Sequence, residues 1–201
     1  MTPKHATTDH PIHEILSRRW SPYAFADREV APEDLRALFE AARWAASSYN
    51  EQPWSFIVAT RREPEAFGRV LSCLVEANQV WARRAPVLAL GITRETFARN
   101  DRPNAAARHD LGLATGNLLA EATARELSVH PMIGILPDRA RELFGIPERA
   151  AALTALAIGY AGDPAALPES LRERDTAPRT RRALAEFVFG ERWGTASKVV
   201  R

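Results

Sequence analysis

The sequence predicts a layered sandwich of the α/β or α+β class, with helices covering a sheet, and three observations carry that expectation. Short, nearly continuous apolar runs at 55–60, 86–92 and 153–161 have the length and composition of buried strands. Between them lie segments whose apolar residues recur three and four positions apart, the spacing of helices that bury one face. The chain has 201 residues, 46% hydrophobic and 26% charged, which is ordinary globular composition and enough for one core of good size. A single domain over 1–201 is expected.

The totals also exclude function classes. Lys and Arg number 27 against 25 Asp and Glu, so the net charge of +2 gives no sign of a nucleic-acid partner. Cys73 is the only cysteine, which excludes an internal disulfide or a cysteine-based metal cluster and fits a reducing, cytoplasmic setting. His109 and His130 are isolated, so no metal spacing is present. Residues 1–11 are polar, and no run approaches ~20 apolar residues; neither export nor a membrane span is expected.

In chain order, residues 1–11 lack periodicity and read as a loose N-terminus, and Pro11 starts a short helix with Ile12, Ile15 and Leu16 on one side. Arg18-Arg19-Trp20-Ser21-Pro22 ends it; Pro22 forces Ser21 to extend. Two guanidiniums and a hydroxyl then stand together, a group able to hold a phosphate through charge-assisted donors. Pro32-Glu33-Asp34 opens a second helix, with Leu35, Leu38, Phe39 and Ala42 on its inner face. That helix delivers the polar hinge from Ser47 to Trp54, whose hydroxyls, amides and rings suit a wall for a flat, heteroatom-rich ring. The run 55–60 follows as a strand expected inside the sheet rather than at its edge. A helix over about 64–80 comes next, and the run 86–92 is a second buried strand. Residues 94–103 read as a mobile excursion, a candidate lid.

The longest helical pattern spans 104–127, apolar or small round most of its girth (Leu111, Gly112, Ala114, Gly116, Leu118, Ala122), so burial on several sides or at a subunit interface is expected. Asp110 and Asn117 in it read as capping or buried polar contacts. A short strand over 129–135, a helix from Pro137 to Phe144 and the run 153–161 complete the core. The tail 164–201 is expected to be extended, with arginines concentrated at 172–182 and a second phosphate-capable cluster over 176–182. Phe187, Phe189 and Trp193 predict that its end docks on an apolar surface.

Several of these segments together resemble the FMN-dependent nitroreductase family. Arg19-Trp20-Ser21-Pro22-Tyr23-Ala24-Phe25 resembles its N-terminal Arg-x-Ser-x-(Arg/Lys)-x-Phe phosphate motif, and Ser47-Ser48-Tyr49-Asn50-Glu51-Gln52-Pro53-Trp54 its Ser-Ser-x-Asn-x-Gln-Pro-Trp stretch, the most specific match. Asp110-Leu111-Gly112 with Asn117 is similar to the family's central helix, Pro131-Met132-Ile133-Gly134 to its flavin-edge segment, and Arg179-Thr180-Arg181 to its C-terminal basic pair. The matches run in order from about residue 12 to 194.

The resemblance implies an α+β sandwich with a mostly antiparallel central sheet, in a homodimer that exchanges C-terminal tails and binds FMN in clefts lined by both chains. It also implies an oxidoreductase that uses NADPH or NADH to reduce a small-molecule acceptor such as a nitroaromatic or quinone; a protein that binds or sequesters FMN without turnover is the alternative. Arg19, Ser21, Arg179 and Arg181 would hold the phosphate, with Trp20 and Tyr23 beside them. Ser47, Ser48, Asn50 and Gln52 would meet the ring or ribityl chain, and Pro131, Met132, Ile133 and Gly134 would lie along the isoalloxazine. No catalytic side chain is implied, because the flavin carries the chemistry. Tyr23 departs from the family, which usually has Arg or Lys there.

Overall fold

The computed structural model describes residues 4–200. A four-stranded sheet in the order β1-β2-β4-β3 is built from β1 (Trp54–Thr60), β2 (Val87–Arg94), β4 (Ala150–Gly159) and β3 (Ser128–Met132), and every pairing is antiparallel. Seven helices flank it: α1 (Glu14–Arg18), α2 (Pro32–Arg43), α3 (Pro64–Leu71), α4 (Glu76–Ala82), α5 (Ala107–Ala124), α6 (Pro137–Phe144) and α7 (Glu169–Thr176).

The two central strands divide the core by simple alternation. Leu88, Leu90, Ile92, Ala155 and Ala157 face one side, against Phe67, Val70, Trp81, Met132 and Ala140. Val87, Ala89, Leu156 and Ile158 face the other, against Leu38, Ala42, Ala114, Leu118 and Ala122. The sheet is therefore a filling between α2 with α5 and α3, α4 with α6. Both central strands carry apolar residues on both faces, which is why they read as continuous runs.

The structure corrects several expectations. β1 is an edge strand, not an internal one; its apolar run reflects partial cover of its faces, and Val58 remains 39% exposed. Composition reports face burial and is silent on whether the backbone edge is paired. The helix expected over 64–80 is two helices, because the chain leaves α3 at Ser72 so that Leu74 can bridge Ile135, Cys73 O can accept Leu136 N–H (2.7 Å), and Val75 N–H can donate to Gly134 O (3.0 Å). α1 starts at Glu14, capped by His13 Nδ1, rather than at Pro11, and leaves Ile12 and Leu16 largely exposed.

The N-terminus is tied down within its described part: Ala6 N–H donates to Ser17 O at 2.8 Å. Residues 1–3 lie outside the described residues. Residues 94–103 form a closed loop, with Thr96 bridging Pro103 and Arg94 paired to Asp101. The tail is not simply extended, since it contains α7, and its end is not covered by its own chain: Phe187 is 49% and Trp193 93% exposed, with Phe189 and Trp193 packed edge-on at 5.1 Å. α5 buries Leu111, Ala114, Leu118 and Ala122 but leaves a stripe of Gly112, Leu113, Gly116 and Asn117 exposed within the chain. No helix among the described residues is long and apolar enough to cross a membrane.

Candidate functional site

Where α1 stops, Arg19 turns into extended geometry (ψ 122) and sends Nη1 to Ser21 Oγ at 3.2 Å. Arg179 arrives from the tail and donates from Nη1 to Lys4 O (2.8 Å) and Ser17 O (2.6 Å), so three distant pieces of chain meet at one point. Arg19 is partly buried, and that burial, with Arg179 and Arg181 nearby, pushes its pKa below the usual guanidinium value; burial and then Arg181 do the same to Arg179. Among the described residues none of these three guanidiniums pairs with a carboxylate, whereas Arg18, one residue earlier, turns away to Glu126. Arg19, Arg179 and Arg181 line one cavity of about 760 Å³ together with Ala6, Thr8 and Leu16. Asp9 also lines this cavity but pairs with none of the three, and mutual repulsion among guanidiniums that are not ion-paired is a condition that a bound anion relieves.

Trp20 is not among the residues lining that cavity; its ring centroid lies 5.0 Å from Lys4 Nζ. The segment after it is locked to the sheet. Ala26 N–H donates to Tyr160 O, Gly162 N–H donates to Ala24 O, and Phe25 bridges Ala161. Only glycine fits at 162, because a Cβ there would stand 2.4 Å from the Phe25 carbonyl carbon. Tyr23 is thereby held with its ring edge-on to Trp81 (5.2 Å) and His130 (4.7 Å), and its N–H donates to Asp175 Oδ1 at 2.7 Å. The Arg174 guanidinium lies 5.3 Å from the Tyr23 ring centre, so the cation absent from position 23 has a neighbour that supplies one.

From this cluster β3 leads along the sheet edge. His130 Nδ1 sits 2.9 Å from Pro22 O, and burial holds its pKa below the ordinary imidazole value. At the end of β3 Pro131 is half-buried, Met132 is buried in the core, and Ile133 is 87% exposed. Gly134 packs on α4: Asn78 Nδ2 donates to Gly134 O at 3.0 Å, and a Cβ at 134 would come within 2.5 Å of that nitrogen. Arg19, Ser21, Tyr23, Arg179, Arg181 and 131–134 thus lie along one edge.

The hinge is elsewhere. Tyr49, Asn50 and Gln52 adopt left-handed geometry (φ 54, 55 and 50), each at a cost of roughly 1–2 kcal/mol for a residue with a Cβ, less for Asn. Local bonds hold it: Ser47 Oγ accepts Gln52 N–H (3.0 Å), and Gln52 Nε2 donates to Asn50 O (3.0 Å). Asp110, buried at 1% exposure in the first turn of α5, accepts Ser48 N–H at 3.0 Å through Oδ2 and contacts His109 Nδ1 at 3.1 Å through Oδ1. Asn117 donates to Ala41 O at 3.1 Å and ties α5 to α2. Asp110 therefore makes the buried polar contact expected of it, whereas Asn117 makes its contact from an exposed position.

Register places the two halves. Trp54, just after the hinge, pairs with Thr93, and Thr93 with Ala151; Met132 pairs with Ala155. The hinge and 132–134 emerge toward the same end of the sheet but on opposite edges, separated by three inter-strand steps, roughly 14 Å across the sheet, with Met132 set four residues further along β4 than the level of Trp54.

With that geometry in place, the sequence profile of the nitroreductase family matches residues 16–160. The chain belongs to the nitroreductase family. A putative NADH dehydrogenase/NAD(P)H nitroreductase of Archaeoglobus fulgidus is 29% identical over 156 residues, covering 75% of this chain and 85% of the relative. The major NAD(P)H-flavin oxidoreductase of Aliivibrio fischeri is 48% identical over 98 residues, 46% of this chain and 43% of the relative. Among solved structures, an oxidoreductase containing FMN superposes with a TM-score of 0.89 at 32% identity over 96% of this chain and 98% of that one. A putative nitroreductase in complex with FMN from Desulfovibrio desulfuricans gives 0.70 at 25% identity over 92% and 99%.

Sequence reasoning for this nitroreductase-family chain missed Asp175, Arg174, His130 and Asn78. Asp175 is 2% exposed, holds the Tyr23 segment, and keeps Oδ2 without a hydrogen-bond partner. Asp175 stands among the alternating charges of the arginine-rich tail, where nothing in the sequence sets it apart. Its burial, and so its raised pKa, depends on contacts across more than 150 positions.

Proposed function

We propose that the protein is an FMN-dependent NAD(P)H oxidoreductase that works as a homodimer, reducing nitroaromatic, quinone or related small acceptors. The observation that carries this reading is the group of three guanidiniums, Arg19, Arg179 and Arg181, gathered in one cavity where none of them is ion-paired among the described residues, Asp9 being the one acid in the lining. That donor set fits a phosphate dianion, and the edge leading from it along β3 to Gly134 is long enough for a ribityl chain and a ring. When bound, FMN would supply the two-electron chemistry that links a nicotinamide to the acceptor.

The chain's own residues bind and orient. Arg19, Ser21, Arg179 and Arg181 hold the phosphate, while Asp175 fixes the backbone at Tyr23 so that Ser21 stays aimed at it. Arg174, over the Tyr23 ring, places positive charge near the ring end of the edge. Pro131 and Gly134 offer a small, flat border. The hinge of a second copy, with Ser47, Ser48, Asn50 and Gln52, closes the other side, since the hinge of the same chain stands on the far edge of the sheet.

Two exposed features support the dimer: the Gly112, Leu113, Gly116 stripe of α5, and a tail end carrying Phe187, Trp193 and Val199, which is 89% exposed. We take the tail beyond residue 182 to be exchanged onto the second copy, with α7 remaining on its own chain.

Purification and an absorption spectrum, followed by anaerobic addition of NADH or NADPH, test the reading. Bound FMN that is bleached by a nicotinamide and restored by a quinone is the expected result. A protein that cannot be loaded with FMN overturns it, and one that binds FMN but is reduced by neither nicotinamide is a flavin carrier instead.

A further inference from the structure

The loop between β2 and α5 packs on the hinge in a way that the flavin site does not use. The Ala98 N–H donates to the Glu51 carboxylate, Phe97 meets the Tyr49 ring edge-on at 5.9 Å, and the Arg99 guanidinium lies 4.6 Å from the Tyr49 centroid and 5.0 Å from that of Phe97. Tyr49 is 75% exposed although its backbone is held in left-handed geometry, so the fold maintains a strained residue that presents its ring at the surface.

The loop's other charges are already matched. Asp101 pairs with Arg94 and Arg149, and Glu95 pairs with Arg108. Arg99 and Arg102 remain as cations of this loop with no carboxylate partner among the described residues. Stacking fixes a guanidinium by its face and leaves its in-plane donors open, the arrangement suited to a phosphate.

We propose that Tyr49, Phe97 and Arg99 form a binding site for the 2′-phosphorylated adenosine end of NADPH, with Arg99 taking the 2′-phosphate and the exposed Tyr49 ring offering a stacking surface to adenine. The inference rests on the oxidoreductase reading above and adds the choice of reductant. The position fits the ligand's shape. Two riboses and a pyrophosphate separate adenine from nicotinamide, so in the dimer proposed above, where the hinge of one copy closes the cleft of the other, a dinucleotide whose nicotinamide enters the cleft would carry its adenosine outward to the loop packed on that hinge. A small aromatic acceptor held inside the cleft does not reach that far.

The test is calorimetric titration of the FMN-loaded protein with adenosine 2′,5′-bisphosphate and with 5′-AMP, neither of which can reduce flavin. The bisphosphate is expected to bind about tenfold tighter or more, the worth of one charge-assisted contact. Arg99→Glu should abolish the difference, and Arg99→Lys should retain part of it. In steady state, Arg99→Glu should lower the ratio of kcat/KM for NADPH to that for NADH by about tenfold or more. Equal affinity for the two adenosine ligands in the unaltered protein overturns the proposal, as does an equal loss for both dinucleotides in Arg99→Glu. Failure of both nicotinamides to reduce the flavin would instead overturn the oxidoreductase reading, while adenosine binding would still report on Arg99.

Discussion

The two edges of the sheet are organised in opposite ways. On the β3 edge, the anion site is assembled from residues far apart in sequence: Arg179 Nη1 joins Lys4 O to Ser17 O, and Asp175 clamps Tyr23. On the β1 edge, the hinge holds itself through bonds spanning two to five residues, with long-range anchors at Asp110 and at the Ala98 N–H that Glu51 accepts. The first stores electrostatic tension in unpaired guanidiniums; the second stores backbone strain in three left-handed residues. Electrostatic tension of this kind is relieved by a ligand that brings the opposite charge. Backbone strain is maintained by the surrounding structure, and it fixes the direction of exposed amides.

Breaking the β3 edge should have the largest effect. The pair Arg179→Ala with Arg181→Ala should weaken FMN binding by about 3 kcal/mol or more, two charge-assisted contacts being lost, although neighbouring sites need not add. Fluorescence titration with FMN against riboflavin measures it. Riboflavin has no phosphate and should be affected far less; an equal loss would mean that these arginines act by holding Lys4 and Ser17 in place.

Arg19→Ala alone should cost roughly 1.5–3 kcal/mol in the same titration. Because Arg18 is committed to Glu126, the corresponding substitution there should leave the preference for FMN over riboflavin intact.

On the β1 edge, Asp110→Ala should destabilise the fold by roughly 1–3 kcal/mol, since the Ser48 N–H loses its acceptor, while Asp110→Asn should recover much of the loss. Urea melts separate the two. If both substitutions leave stability unchanged, the hinge does not depend on this anchor.

Two groups of the β3 edge should respond to pH in opposite ways. His130 has its pKa lowered, chiefly by burial, so its neutral form is the one the fold accommodates. Its contribution is full above the unfolded value near 6.5 and is lost as pH falls through the lower folded value. Asp175 runs the other way: its folded pKa is raised by burial above 3.8, so its contribution is present at low pH and lost as pH rises through the folded value. Stability measured from pH 7.5 downward should therefore fall below about 6.5 in the unaltered protein and fall less in His130→Gln. A steeper fall in that variant would mean that His130 is not buried neutral. The smallest effect belongs to Asn50→Gly, which relieves a left-handed residue and should raise stability by at most about 1 kcal/mol.

The contrast between the edges also explains what the sequence could say. The hinge was legible because its determinants are local: Ser, Asn, Gln and Pro in one stretch announce both the turn and the polar wall. The central strands were legible because burial on two faces forces continuous apolarity. β1 was misplaced because apolarity does not encode edge position, and the helix over 64–80 was drawn unbroken because the break at Ser72 answers to Ile135 and Gly134, remote in sequence. Arg19 and Arg179 were recognised by motif. Asp175, which fixes the segment between them and the ring edge, was not, since a buried acid in a charged tail looks like any solvated one.

The central claim is that each complete site takes its β3 edge from one chain and its hinge from another. Subunit mixing tests it most directly. A differently tagged Arg19→Ala chain and an Asn50→Ala/Gln52→Ala chain, each weak in FMN binding alone, are combined and the mixed dimer is isolated. One of its sites then contains both alterations and the other neither, so the account predicts one FMN bound per mixed dimer with the affinity of the unaltered protein. A mixed dimer with two weak sites and no restored one would contradict it, because each site would then be built within a single chain.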